Sequence, residues 1–250
     1  MEAPAPWPYP RWIAHRGAGK LAPENTLAAF RLGAAHGYRM FECDAKLSAD
    51  GVPFLLHDDT LQRTSNGHGI AGEQPWAALS QLDAGRWHSR AWAGEPLPTL
   101  ANVIGFCLAN ACLLNIEIKP TPGLEHATGL AVAREAQRLW PANAAAAAPL
   151  LTSFRPESLA GAREGAGALP RGLLLDSLWA GWLEAAVSLD CRAIVCHHRL
   201  WDATTVAAVQ SLGLRTLSYT VNDEAVALRL LALGVDGIIT DALDRFAPGA

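Results

Sequence analysis

The sequence predicts a (β/α)8 barrel, and three observations carry that reading. Eight short apolar runs, at 12–14, 40–47, 113–119, 150–154, 172–175, 193–196, 215–221 and 237–240, alternate with segments of helical periodicity. Apolar strands separated by helices mean a parallel sheet covered by its own crossovers. Eight such units in 250 residues fit a closed barrel, and no GxGxxG supports the doubly wound alternative. The expected organisation is one domain over 1–250, with a barrel core at about 12–241, a β-hairpin arm and a small insertion at about 59–98.

The elements follow in order. After the first strand, Leu27, Phe30 and Ala34 recur at helical spacing over 26–36; Asn25 or Thr26 can cap that helix and Gly37 stops it. The run 52–57 breaks the alternation. It follows the second strand too closely for a parallel crossover, and Asp50-Gly51 between apolar runs signals a hairpin. With those two as the turn, Asp44 would face His57, a register that a bulge would shift. The segment 59–98 has glycines, Trp76, Trp87 and Trp92 but no clear strand, and reads as a lid or subdomain over the strand ends. Helices are expected near 100–109, over 124–140 and 156–164, near 180–188, from Asp202 to a stop at Gly213, and over 223–233 before Gly234. The stretch 143–148 is an alanine-rich loop or helix tail.

Composition narrows the function. Half the residues are apolar, enough for a large core. A net charge of −4 without a lysine or arginine run argues against nucleic acid as a partner. Five cysteines with no CxxC suit reduced, buried thiols better than a disulfide framework. The proline-rich N-terminus lacks the layout of a signal peptide, and no 18-residue apolar span occurs. The expectation is a cytoplasmic protein without stable membrane association; the oligomeric state is open.

Four strand-like runs end in ionisable residues: Ile13-Ala14-His15-Arg16-Gly17, Phe41-Glu42-Cys43-Asp44, Leu55-Leu56-His57-Asp58 and Asn115-Ile116-Glu117-Ile118-Lys119. Unpaired burial of such charges is costly, so they should be paired, solvated or bound to a metal. At the C-terminal ends of barrel strands they would share one mouth. Glu42, Asp44 and Glu117 offer hard oxygen ligands for one divalent cation, Mg²⁺ in preference to Ca²⁺. Strand alternation turns Cys43 and Ala45 away from that cation. Arg16 presents a forked donor to phosphate, and Lys119 shares a face with Glu117 and can reach the same group. His15 and His57 can divide proton acceptance and donation between them. Each has an ordinary structural reading when taken alone; their coincidence favours a shared site. His197 and His198 read as rim residues. Asn222 reads as a substrate contact or a helix cap, the tryptophans as packing, and Glu24 and Asn25 as support for Arg16 and His15 or as caps.

The segments His15-Arg16-Gly17, Pro23-Glu24-Asn25-Thr26, Glu42-x-Asp44, His57-Asp58, Arg63-Thr64-Ser65, Glu117-Ile118-Lys119, Tyr219-Thr220-Val221-Asn222 and 234–241 together resemble the glycerophosphodiester phosphodiesterase family, especially its cytoplasmic bacterial members. The resemblance implies a (β/α)8 barrel that hydrolyses glycerophosphodiesters, such as glycerophosphocholine or glycerophosphoethanolamine, to glycerol 3-phosphate and an alcohol. It implies His15 and His57 as the acid/base pair, Glu42, Asp44 and Glu117 as the metal ligands, and Arg16 and Lys119 on the phosphate. Two rivals remain at this stage: a phosphodiesterase of lysophospholipids or inositol lipids, and a non-catalytic glycerophosphodiester-binding protein.

Overall fold

The computed structural model describes residues 7–144, 146–246 and 248. The proline-rich segment 1–6 and Ala145 of the alanine-rich stretch lie outside the described residues. The strands are β1 (Trp12–Ala14), β2 (Met40–Leu47), β3 (Pro53–Leu55), β4 (Leu113–Ile118), β5 (Leu150–Ser153), β6 (Arg171–Leu175), β7 (Cys191–His197), β8 (Arg215–Tyr219) and β9 (Gly237–Thr240). The helices are α1 (Leu27–Ala35), α2 (Trp76–Leu79), α3 (Leu100–Ala109), α4 (Glu125–Leu139), α5 (Pro156–Gly165), α6 (Trp182–Ser188), α7 (Ala203–Ser211) and α8 (Glu224–Ala232). Every strand but β3 is parallel to its neighbours, and β1 pairs with both β9 and β2, closing the expected eight-stranded barrel.

Strand alternation separates two environments. Phe41, Cys43, Ala45, Leu114, Ile116 and Leu151 face outward and are buried beneath the helices. Inside, Ile13, Met40, Leu150, Leu174, Val195, Leu217 and Ile239 form an apolar plug, with Tyr9 packed against it. Farther along the same inward phase stand Glu42, Asp44, Lys46, Asn115, Glu117 and Thr152. The interior therefore changes from apolar to charged along the strands, and the charged end is the mouth. The five cysteines are all free and buried. Among the described residues no helix is long and apolar enough to cross a membrane.

The arm corrects one expectation. β3 runs antiparallel to β2 with Ala45 opposite Leu55 and Lys46 opposite Phe54, so Asp44 meets Leu56, whose N–H donates to its carbonyl at 3.1 Å. The register is one residue from that of a two-residue turn. Ser48 N–H donates to Val52 O, leaving 49–51 as a three-residue loop with Gly51 at φ +80°, a left-handed geometry that glycine adopts without a Cβ clash. β1 reaches only Ala14, paired with Phe41. The upper edge of β2 is therefore left for β3 to cover.

The 59–98 segment has a small core of its own. Leu61, Ala71, Leu79, Ala84 and Leu97 pack with Phe54 and Leu56 of the arm. Trp76 packs near Phe54, with ring centroids 6.0 Å apart, while Trp92 lies against the barrel's helical layer.

Candidate active site

The site begins at the turn after β1. Arg16 (φ +50°) and Asn25 (φ +59°) are both left-handed non-glycine residues, a conformation retained only where surrounding bonds fix it. The bonds are present: Asn25 N–H donates to Arg16 O (3.0 Å), and Arg16 N–H donates to Glu42 Oε2 (3.0 Å). Gly33 of α1 permits this turn to sit close, since a Cβ there would lie 2.2 Å from Gly17 O.

Glu42 and Asp44 rise from β2 almost fully buried, at 3% and 1% exposure. In the parallel register Asp44 lies beside Glu117 of β4. One carboxylate oxygen from each of the three lies within 4.8 Å of the others. Glu42 Oε1 and Asp44 Oδ1 are buried without a hydrogen-bond partner, an arrangement that costs free energy unless a cation enters. Burial, then Asp44 and Glu117 nearby, pushes the Glu42 carboxyl well above the usual carboxylate range. Burial and Asp44 likewise raise Glu117 to about 7. Burial would raise Asp44 too, but Arg16, Lys119 and His57, together with the Asn25 amide, hold it at about 2. Three crowded hard-oxygen donors with two unmatched atoms fit a divalent cation.

Two cations flank the cluster. Arg16 Nε is 3.2 Å from Asp44 Oδ2, and its Nη1 donates to Glu24 Oε1 at 2.8 Å. Lys119 Nζ is 2.7 Å from Glu117 Oε1, 3.9 Å from Asp44 Oδ1 and 5.4 Å from the centre of the Phe154 ring. Burial works against both charges, yet the surrounding carboxylates raise both pKa values above their ordinary ones.

Each histidine is tied through Nδ1 to a carboxylate. His15 Nδ1 is 2.6 Å from Asp241 Oδ1, and its Nε2 is 3.8 Å from Glu42 Oε2. Asn222 Nδ2 donates to Asp241 Oδ2 (3.0 Å), and Asp241 N–H donates back to Asn222 Oδ1 (2.8 Å). His57 Nδ1 is 2.7 Å from Asp58 Oδ1. Arg63 donates to both oxygens of Asp58 (2.6 and 2.9 Å) and to both of Glu24 (2.8 Å each). Ionised carboxylates only accept, so Nδ1 carries the proton in both rings and Nε2 is the nitrogen left free. Burial lowers the His57 pKa below the ordinary imidazole value, against the opposing pull of Asp44.

All seven residues singled out in the sequence thus surround one mouth. Glu24 and Asn25 support it: Glu24 links Arg16 to Arg63, and Asn25 donates its amide to Asp44 Oδ2 at 2.7 Å. Thr26, not Asn25, caps α1. Asn222 is no cap either, since Asp223 caps α8; it holds Asp241. His197 and His198 stack on each other at the end of β7, 4.4 Å between ring centres, apart from the cluster. Sequence reasoning did not single out Asp241, Asp58 and Arg63 as site residues, nor Lys46, buried and paired with Asp59 at 2.9 Å. Asp241 carried the same signal as the others, an ionisable residue ending an apolar strand.

A cavity of about 650 Å³ opens from Glu117, Lys119 and His57 towards the loops after β5 and β6.

Comparison with known proteins agrees with the motifs. A sequence model described as the Glycerophosphoryl diester phosphodiesterase family matches residues 15–245. An Oleispira antarctica phosphodiesterase, solved in complex with the product sn-glycerol-3-phosphate, is 35% identical with a TM-score of 0.88, over 94% of each chain. A glycerophosphodiester phosphodiesterase of Caldanaerobacter subterraneus subsp. tengcongensis is 31% identical over 92% of this chain and 93% of its own. The crystal structure of another, from Agrobacterium tumefaciens, is 28% identical with a TM-score of 0.78, over 96% of this chain and 99% of that one. The match runs from His15 to beyond the last strand, and the chain belongs to the glycerophosphoryl diester phosphodiesterase family, as an enzyme of that class.

Proposed function

We propose that this protein hydrolyses small glycerophosphodiesters, such as glycerophosphocholine and glycerophosphoethanolamine, to glycerol 3-phosphate and an alcohol. The observation that carries the reading is the three-carboxylate cluster set with two carboxylate-anchored histidines and two cationic side chains. Family membership and the likeness to a protein solved with sn-glycerol-3-phosphate support it.

Glu42, Asp44 and Glu117 would hold one divalent cation, Mg²⁺ in preference to Ca²⁺. When bound, that cation supplies Lewis-acid neutralisation of phosphate charge. Arg16 and Lys119 bind the non-bridging oxygens, already placed and ordered by Glu24, Asp44 and Glu117. Charge-matched donors fixed before reaction give the largest contribution to this kind of transfer. His15 and His57 move the protons at their free Nε2 atoms, one accepting from the attacking oxygen and the other donating to the departing alkoxide. Asp241 and Asp58 keep each ring in that tautomer and stabilise it when protonated. An alkoxide is a poor leaving group, so the donor is as necessary as the acceptor. A protein that only bound the diester would have no use for this pair.

The test is ³¹P NMR of purified protein with glycerophosphocholine. Growth of the glycerol 3-phosphate signal with equimolar choline is the expected result. Phosphocholine and glycerol instead, or an unchanged diester across several headgroups, would overturn the reading.

A further inference from the structure

We infer that the outer part of the mouth cavity is a subsite for the alkylammonium end of the leaving alcohol, built from Asp176 and Trp179 in the loop between β6 and α6. This rests on the hydrolytic reading and adds to it the residues that select the headgroup.

The cavity's volume of about 650 Å³ is within the range of about 300–1,000 Å³ typical of pockets for whole organic ligands. It thus has room beyond the phosphate. Its outer wall includes Asp176 and Trp179, and the same cavity reaches Lys119 and His57. Strand phase explains the aim of Asp176. Leu174 belongs to the barrel's interior plug, and the residue two positions on keeps that inward phase at the strand's C-terminal end.

The charged groups nearest the phosphate end of the wall are paired. Lys46 meets Asp59, Lys119 meets Glu117, and His57 meets Asp58. Arg155 lies in the field of Glu125. Asp176 accepts only from Ser177 Oγ, at 3.1 Å, and has no basic partner among the described residues. The wall therefore presents, in Asp176, a carboxylate that no basic side chain meets, which suits a cationic headgroup better than an anionic one.

The aromatic groups divide in the same way. The face of Phe154 already receives Lys119 Nζ. Trp179 is 39% exposed, a large ring left in water on the cavity wall. The tryptophans of the 59–98 segment are engaged elsewhere: Trp76 and Trp92 are packed, and Trp87 Nε1 donates to Ala84 O. An exposed tryptophan ring and an unmatched carboxylate on one cavity wall are the chemistry that recognises a quaternary or primary ammonium. A neutral polyol headgroup gains from neither.

The test compares kcat/KM for glycerophosphocholine and the neutral-headgroup glycerophosphoglycerol in the wild type, Trp179→Ala and Asp176→Asn. The expected choline preference is about 2- to 30-fold, the range of a cation–π contact, and it falls towards parity in each variant. A ratio that neither substitution moves overturns the subsite. A second measurement does not depend on turnover. Protein labelled with 5-fluorotryptophan on a His57→Ala background, with Mg²⁺, is titrated with each diester and followed by ¹⁹F NMR. The Trp179 signal, identified by its loss in Trp179→Phe, should shift with glycerophosphocholine and stay still with glycerophosphoglycerol. No shift, or equal shifts, overturns the subsite. A selective shift in a protein whose wild type hydrolyses no diester would sustain the subsite and overturn the hydrolytic reading alone.

Discussion

Substituting Glu117 by glutamine should stabilise the metal-free protein at alkaline pH while removing most of what a divalent cation adds. Burial and the nearby Asp44 raise the Glu117 pKa from 4.5 to about 7. A carboxyl raised on folding binds more protons in the native state than in the unfolded one. Its neutral form stabilises the fold fully below about pH 4.5, and that contribution is lost as pH rises through about 7. The gap corresponds to roughly 3 kcal/mol at about 1.4 kcal/mol per pH unit. Glutamine mimics the neutral carboxyl at every pH, so Glu117→Gln should exceed the wild type in chelator at pH 8 by about 3 kcal/mol. For a chain of this length that is about 6–12 °C in Tm. The two proteins should converge near pH 4.5. Added Mg²⁺ should raise the wild type, because the cation binds the ionised cluster of the folded state only, and should raise the variant far less. Thermal denaturation with and without chelator at pH 4.5 and 8 reads all four quantities. A variant less stable than the wild type in chelator at pH 8, or one that Mg²⁺ stabilises equally, would refute the electrostatic argument.

Other outcomes follow from the same geometry. His15→Ala or His57→Ala should each lower kcat by about 10²-fold or more with little change in Tm; a near-wild-type rate in either removes that histidine from the mechanism. Asp241→Asn keeps the size of the side chain but no longer anchors Nδ1–H with a charge; it should remove much of the contribution of His15, again up to about 10²-fold in kcat. Imidazole ¹⁵N shifts in the metal-free protein should show a mixed His15 tautomer, and an unchanged tautomer with an unchanged rate would count against Asp241 as a positioning residue. Gly33→Ala should destabilise by about 1–3 kcal/mol, although the same exchange in an exposed helix interior stabilises by about 1 kcal/mol. The cause is a Cβ placed 2.2 Å from Gly17 O and 2.7 Å from Phe41, and chemical denaturation reads the sign.

The barrel was legible because its strands are short, largely apolar runs spaced by helical segments, and its glycines and caps fall between them. The metal-type carboxylates were legible for a related reason: Glu42, Asp44 and Glu117 break apolar strands at points where burial alone gives them no purpose. The hairpin register was not legible, because Asp50-Gly51 fits both a two-residue and a three-residue loop; the backbone chooses the latter by putting only Gly51 in the left-handed region. The anchoring groups were hidden by chain separation. Asp241 meets His15 across 226 positions, a contact made only when the last strand closes against the first. Arg63 lies in a segment without periodicity, and its link between Glu24 and Asp58 depends on how that segment folds back over the mouth. Asn222 shows the limit from the other side. Its place before a helix suggests a cap, but Asp223 takes that role and leaves its amide for Asp241.

The most direct test of the central claim is glycerol 3-phosphate release from chelator-stripped protein and glycerophosphocholine, with Mg²⁺, Ca²⁺ or neither restored. Release that requires the cation, and that Glu42→Ala abolishes while the fold persists, is the expected result. Undiminished release in chelator, or full metal-dependent release from Glu42→Ala, would contradict a cation held by Glu42, Asp44 and Glu117.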